Sequence, residues 1–230
     1  PRVAIATRPF TTPACSYYPR PEALAKEQST APPDESGKIM NRLPMPQHYG
    51  KKKKAVFTIG HSTRPIGEFV EMLKSRGVKR VIDIRTIPRS RHNPQFNSDT
   101  LGPSLRASGI GYTHLKKLGG LRHAKPDSIN QGWRNASFRG FADYMQTPDF
   151  ESGLERAMKL AKTKPCALMC AEAVPWRCHR SMVADALVAR HVPVEHIISG
   201  QRTQTHKITP FARVRGKRIT YPDETVRRGR

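Results

Sequence analysis

The feature that most constrains the fold is an alternation of short, β-branched apolar runs with longer segments of helical period. "AVFTIG" (55–60), "VKRVIDI" (78–84), "IGYTHL" (110–115), "PCALMC" (165–170) and "VEHIIS" (194–199) each have the length and composition of a buried strand. Between the first two, "RPIGEFVEMLKSRG" (64–77) places Ile66, Phe69, Val70 and Leu73 at helical spacing, with Pro65 suited to the first turn and Gly77 to the stop. "SDTLGPSLRASG" (98–109) predicts a short helix interrupted at Gly102-Pro103. "FRGFADYMQT" (138–147) and "PDFESGLERAMKLAK" (148–162) predict two helices that meet where Thr147 caps and Pro148 opens the second. "RCHRSMVADALVARH" (177–191) predicts a strongly amphipathic helix. Strands separated by helices require right-handed crossovers. The expected fold is therefore α/β: a single domain with a mainly parallel, Rossmann-like sheet and helices on both faces.

The segments outside 55–200 read differently. Residues 1–54 are rich in Pro, Ser, Thr and charge, have no sustained apolar period and end in "KKKK", which predicts a disordered basic arm. The sequence opens on Pro, so a fragment, a processed chain or a true start at Met40 or Met45 all stay open. Residues 201–230 form a basic extension in which "HKITPFARVRGKRITYP" predicts an edge strand. Four cysteines in 230 residues do not make a disulfide framework, and no apolar run approaches the ~20 residues needed to span a bilayer. A cytoplasmic protein without membrane association is expected. The net charge of +23 favours nucleic acid or another phosphate-bearing ligand, and the excess is shared by both ends and the core.

In an open parallel sheet, ligands bind beyond the carboxyl ends of the strands, and the residues that follow these runs are unusually polar. "GHSTR" (60–64), "DIRTIPRSRHNPQF" (83–96), "HLKKLGGLRH" (114–123) and "CAEAVPWRCHR" (170–180) would converge on one rim. His61, Glu172, Cys178 and His179 are the candidate catalytic groups, and Ser62, Arg85, Arg89, Gly119, Gly120 and Arg180 the candidate phosphate or anion binders. Asp83, two residues before Arg85 on the same strand face, is placed to hold it. Glu172 reads either as a general base or as the anchor of Arg85 or Arg180.

These motifs resemble a known family. "TIGHST" (58–63), "DIRTIPRSR" (83–91), "LGG" (118–120), "FADYM" (141–145), "LMCAE" (168–172) and "CHR" (178–180) are similar, in this order, to the domain of unknown function 488 family over roughly residues 55–200. The resemblance implies a single α/β domain and one site built from the motif positions, and it implies no reaction.

Cys170, Cys178 and His179 are all good zinc ligands. However, a helix containing both 178 and 179 would turn their side chains about 100° apart, so no metal is expected. A disulfide between the two cysteines is disfavoured by a reducing compartment, and two alternatives stay open: a thiol at a helix start, where free N–H groups favour a thiolate, or two cysteines that are simply small residues of the core. Cys170, at the end of a strand, is expected to be the more buried of the two. The paired glycines lack the GxxxxGK[ST] order, and no GxGxxG follows the first strand, which excludes the usual nucleotide loops and predicts no organic cofactor. Tyr112, Trp133, Phe138 and Trp176 could stack on bases or simply fill the core. The expected function is hydrolytic or base-processing chemistry on nucleic acid or a nucleotide-like anion. Two alternatives are a non-catalytic nucleic-acid-binding module and a thiol enzyme for a small anion. The oligomeric state is not specified.

Overall fold

Five strands run parallel in the computed structural model, which describes residues 55–223: Val56–Gly60 (β1), Arg80–Asp83 (β2), Gly111–His114 (β3), Cys166–Cys170 (β4) and Val194–Ile197 (β5). Thr203–Thr205 (β6) pairs antiparallel to β5, giving the order β3-β2-β4-β1-β5-β6. The expected arm at 1–54 lies outside the described residues. The first three strands step one way across the sheet and the chain then returns, so β4 inserts between β2 and β1. Their carboxyl ends therefore lie side by side at the point where the winding reverses, which is where such sheets form a crevice.

The strands carry apolar side chains to both faces because both are covered. Along β4, Cys166, Leu168 and Cys170 enter one core, and Ala167 and Met169 enter the other. Ile66–Lys74 (α1) and Ser98–Ala107 (α2) cover the Ala167 face through Phe69, Leu73, Leu101 and Leu105. Ala136–Tyr144 (α3), Pro148–Thr163 (α4) and Arg180–Val188 (α5) cover the Leu168 face through Phe141, Phe150, Leu154, Met182 and Val183. The junction of α3 and α4 matches the sequence reading: the Thr147 side chain accepts from the Phe150 amide at 3.3 Å, and Pro148 occupies the first turn.

Three expectations need correction. α2 is not broken at Gly102-Pro103, because burial of Leu101 and Leu105 on one face holds the run together around an exposed Pro103. α5 is not amphipathic, since every residue from Arg180 to Leu187 is buried. Its outer side is closed by the chain beyond residue 200, which is more than an edge. The strand that joins the sheet is β6, upstream of the stretch expected to supply it, while Arg213–Arg215 (β7) and Arg218–Thr220 (β8) form a separate hairpin. Tyr221 then enters the core, its hydroxyl donating at 2.8 Å to Asp185 of α5. Asp185 also accepts from His206 and twice from Thr209, so one buried carboxylate ties the C-terminal segment down. No helix among the described residues is long and apolar enough to cross a membrane.

Candidate functional site at the carboxyl edge of the sheet

β2 ends in a buried ion pair. Arg85 Nε and Nη2 reach the Asp83 carboxylate at 2.9 and 2.6 Å, and the Arg85 amide donates to the same group at 3.0 Å. Asp83 also accepts the Tyr112 hydroxyl at 2.7 Å from neighbouring β3. Arg85 also donates through Nη2 to the Phe96 carbonyl at 2.7 Å and through Nη1 to His61 Nε2 at 3.2 Å. Burial opposes the Arg85 charge, yet its hydrogen bonds to Asp83 raise its pKa above the ordinary value. Asp83 is the anchor of Arg85, as its spacing suggested, and Glu172 is not. With each guanidinium nitrogen bonded inside the protein and the side chain buried, Arg85 is a strut and not an exposed phosphate fork.

His61, one residue past β1, is buried and stacks on Phe96 with ring centroids 4.2 Å apart. Its Nδ1–H donates to the Ser62 carbonyl at 2.8 Å while Nε2 accepts from Arg85, so the ring is held neutral. Burial lowers its pKa to about 4, with Arg85 adding to the effect. Ser62 adopts a left-handed backbone with φ of 51° as the chain leaves the sheet, and its amide donates at 2.8 Å to the Ala171 carbonyl of the loop after β4.

That loop passes directly over β1. A Cβ on Gly60 would overlap the Glu172 carbonyl, so Gly60 serves close approach of two backbones, not a turn. Arg180 fixes the loop from the other side, donating through Nη1 and Nη2 to the Glu172 and Ala173 carbonyls at 2.5 and 2.9 Å. Arg180 is therefore buried and contacts the backbone of Glu172, leaving the Glu172 carboxylate exposed to solvent. The rim expected to gather Arg85, Glu172, His179 and Arg180 is thus divided: the two arginines are buried as a floor, and Glu172 stands exposed above them.

The reactive groups of the floor are sulfur and imidazole. Cys178 has an extended backbone (φ −139°, ψ 141°) and His179 caps α5, so neither is inside the helix. The divergence expected of two helical residues does not apply, and His179 Nδ1 lies 3.8 Å from Cys178 Sγ and 3.9 Å from Cys170 Sγ. The three ligand atoms all fall within 4.8 Å of one another. Cys178 is 3% exposed and Cys170 7%, which reverses the expected order because the turn before α5 folds Cys178 inward. Burial would raise the Cys178 thiol, but the hydrogen bond from Cys170, His179 and the Arg180 charge together bring it well below the ordinary thiol range. Cys170 goes well above that range through the same hydrogen bond and burial.

The loops after β2 and β3 close the remaining side. Gly119 is buried, and a Cβ on Gly120 would overlap the His179 ring, so this glycine pair lets the chain press on the imidazole. The loop is secured beyond by Asp143 of the "FADYM" motif, which accepts from the Lys125 amide, Ser128 and Asn130 at 2.9, 2.6 and 2.8 Å. Arg89 is exposed on the loop after β2. Trp133 and Phe138 belong to an aromatic core cluster with Phe211 and Tyr221, and Tyr112 is tied to Asp83, so these three do not present a stacking surface. Trp176 does, at 41% exposure after β4, with Ile87 at 62% after β2 and Leu121 at 67% after β3.

The structure thus brings together His61, Arg85, Cys178, His179 and Arg180, with Ser62, Gly119, Gly120 and Glu172 around them and Arg89 farther out. Sequence reasoning missed Phe96 and His114, whose Nε2 donates to the Arg85 carbonyl at 2.8 Å. Cys170 was expected at the rim and among the good zinc ligands, but was given no catalytic or anion-binding role, although it ends β4 beside Gly60. The model of the family described as domain of unknown function DUF488 matches residues 65–187. No curated protein and no solved structure matches the chain. That match covers more than half of the chain and runs from the start of α1 to α5, taking in Arg85, Glu172 and the Cys170–Cys178–His179 cluster, and the chain belongs to the DUF488 family.

Proposed function

We propose that this protein is an enzyme that hydrolyses a phosphate-bearing substrate of the nucleic-acid or nucleotide class in the cytoplasm. The observation that carries the reading is the composition of one sheet edge. The loops after β2, β3 and β4 expose apolar Ile87, Leu121 and Trp176 among the cations Arg89, Arg91 and Lys116, directly beside a floor of thiols and imidazole. An indole offers a sequence-tolerant face to a base, while the exposed cations attract the phosphate. Exposed Glu172 is the group free to take a proton from an attacking water, because its carboxylate is committed to no neighbour among the described residues. Cys166, Cys170 and Cys178 are free thiols, in keeping with a reducing compartment.

The test is turnover by the full chain of nucleotides and of labelled single-stranded and duplex oligonucleotides. Arg89→Ala with Arg91→Ala should raise KM with little change in kcat, Trp176→Ala should weaken binding, and Glu172→Gln should lower kcat. Salt-sensitive binding without turnover would make the protein a binding module, and neither binding nor turnover would overturn the reading altogether.

A further inference from the structure

We infer that Cys170, Cys178 and His179 form a binding site for a zinc-class divalent ion, with one position of a tetrahedral set not supplied by these three residues. Two ligands of a tetrahedral zinc with Zn–S near 2.3 Å and Zn–N near 2.0 Å stand about 3.6 Å apart. The two sulfur-to-Nδ1 distances here are 3.8 and 3.9 Å and the sulfurs lie within 4.8 Å of each other, where two zinc–sulfur bonds span about 3.8 Å, so the imidazole needs shifts of a few tenths of an ångström and the sulfurs must close by up to about 1 Å. Two thiolates and an imidazole are a soft donor set that favours zinc over magnesium or calcium.

A second, independent observation concerns the far side of the ring. His179 Nε2–H donates to the Ile84 carbonyl at 3.1 Å, which fixes the tautomer and leaves the Nδ1 lone pair facing both sulfurs. Metal-ligating histidines are oriented in this way by a partner on the other nitrogen. The ring is also gripped by Gly120 on one side and meets Phe141 edge-on at a centroid distance of 4.9 Å. Charge balance agrees. Two thiolates neutralise a divalent ion, while adjacent Arg180 is buried with only carbonyl partners and no carboxylate among the described residues. One anionic ligand at the open position, hydroxide or a substrate oxygen, completes the balance. A thiol that still carries its proton loses it to solvent as its metal–sulfur bond forms.

The inference deepens the proposed function by supplying the group that would activate water, and its test reads the ion itself. The full chain, reduced and stripped of metal, is titrated with Co²⁺ and with Zn²⁺. One ion per chain is expected, with thiolate-to-cobalt charge-transfer absorption and tetrahedral ligand-field bands. Zinc should protect Cys170 and Cys178, but not Cys166, from alkylation mapped by mass spectrometry. These readings need no variant. Cys170→Ser, Cys178→Ser and His179→Ala should each weaken binding at least 100-fold, and Cys166→Ser should not. Absence of the cobalt bands, equal alkylation of Cys170 and Cys178 with and without zinc, or recovery of these two cysteines as a disulfide under reducing conditions would overturn the site. Stoichiometric zinc without turnover would defeat the proposed function and leave the metal site standing; turnover together with absent cobalt bands would do the reverse.

Discussion

Asp83, the last residue of β2, holds Arg85 two residues further along the chain, both side chains are buried, and the shortest contact between them is 2.6 Å. The pair lies at the carboxyl edge of the sheet and connects β2 to β3 through Tyr112, to β1 through His61 and to the turn at Phe96. Removing one partner strands a charge in the interior. Asp83→Ala should therefore cost about 3–5 kcal/mol in urea denaturation, while Asp83→Leu combined with Arg85→Met should cost clearly less than that. Equal losses from the single and the double replacement would show that lost packing, not an orphaned guanidinium, dominates.

Stability should fall in mild acid. The His61 pKa is lowered to about 4 and that of His196 to about 3, both chiefly by burial, whereas an unfolded histidine titrates near 6.5. Below pH 6.5 the unfolded chain therefore binds more protons than the folded one. The expected loss, down to about pH 4, approaches 1.4 kcal/mol per pH unit for each ring. Urea midpoints recorded from pH 7 to pH 4 check this, and a flat profile across that interval would contradict the neutral state assigned to both rings.

Gly120→Ala should displace the His179 ring, because the new methyl would overlap it. Overpacking of this kind costs about 1–3 kcal/mol. The more informative reading is the imidazole itself: its side-chain NMR resonances should move in the variant, and unchanged shifts would mean that the loop gives way and the ring does not.

Glu172→Gln should leave stability within about 0.5 kcal/mol of the parent, since the side chain is exposed and supports nothing. A large loss of stability would reveal a structural partner for the carboxylate and remove the basis for assigning it a proton-transfer role.

Truncation after residue 200 should abolish cooperative unfolding, because α5 would lose the cover supplied by Ile219 and Tyr221 and the hydrogen bonds of Thr209 and His206 to Asp185. A sharp thermal transition in the shortened chain would show that the α/β core closes without this segment.

Much of the fold could be read from strand composition, because strands buried on two faces announce themselves as unbroken apolar runs, as in Cys166–Cys170. α5 deceived for the opposite reason. Its polar positions include Arg180, Ser181 and Asp185, which look like a solvent face but are satisfied internally, by carbonyls and by a C-terminal segment that local periodicity does not foresee. The convergence of the site on one edge followed from topology, and the Asp83–Arg85 pairing from the two-residue period of a strand. The direction of Arg180 and the extended backbone at Cys178 depended on how one loop crosses Gly60, a long-range event with no sequence period. The exposure of Trp176 and the burial of Trp133 likewise depended on which aromatic side chains the C-terminal residues Phe211 and Tyr221 would reach.

The seal made by Tyr221 also sets an order on biosynthesis. Ribosomes emit about 5–20 residues per second, and a domain closes only when all of its parts are available. Here the central strand and α5 emerge well before the residue whose hydroxyl reaches Asp185, so the nascent chain carries an uncovered helix face until synthesis has passed residue 221. The thiols of Cys170 and Cys178 leave the ribosome in that same interval, within a domain that is not yet closed, which makes translation the period when they are most open to oxidants and to metal capture.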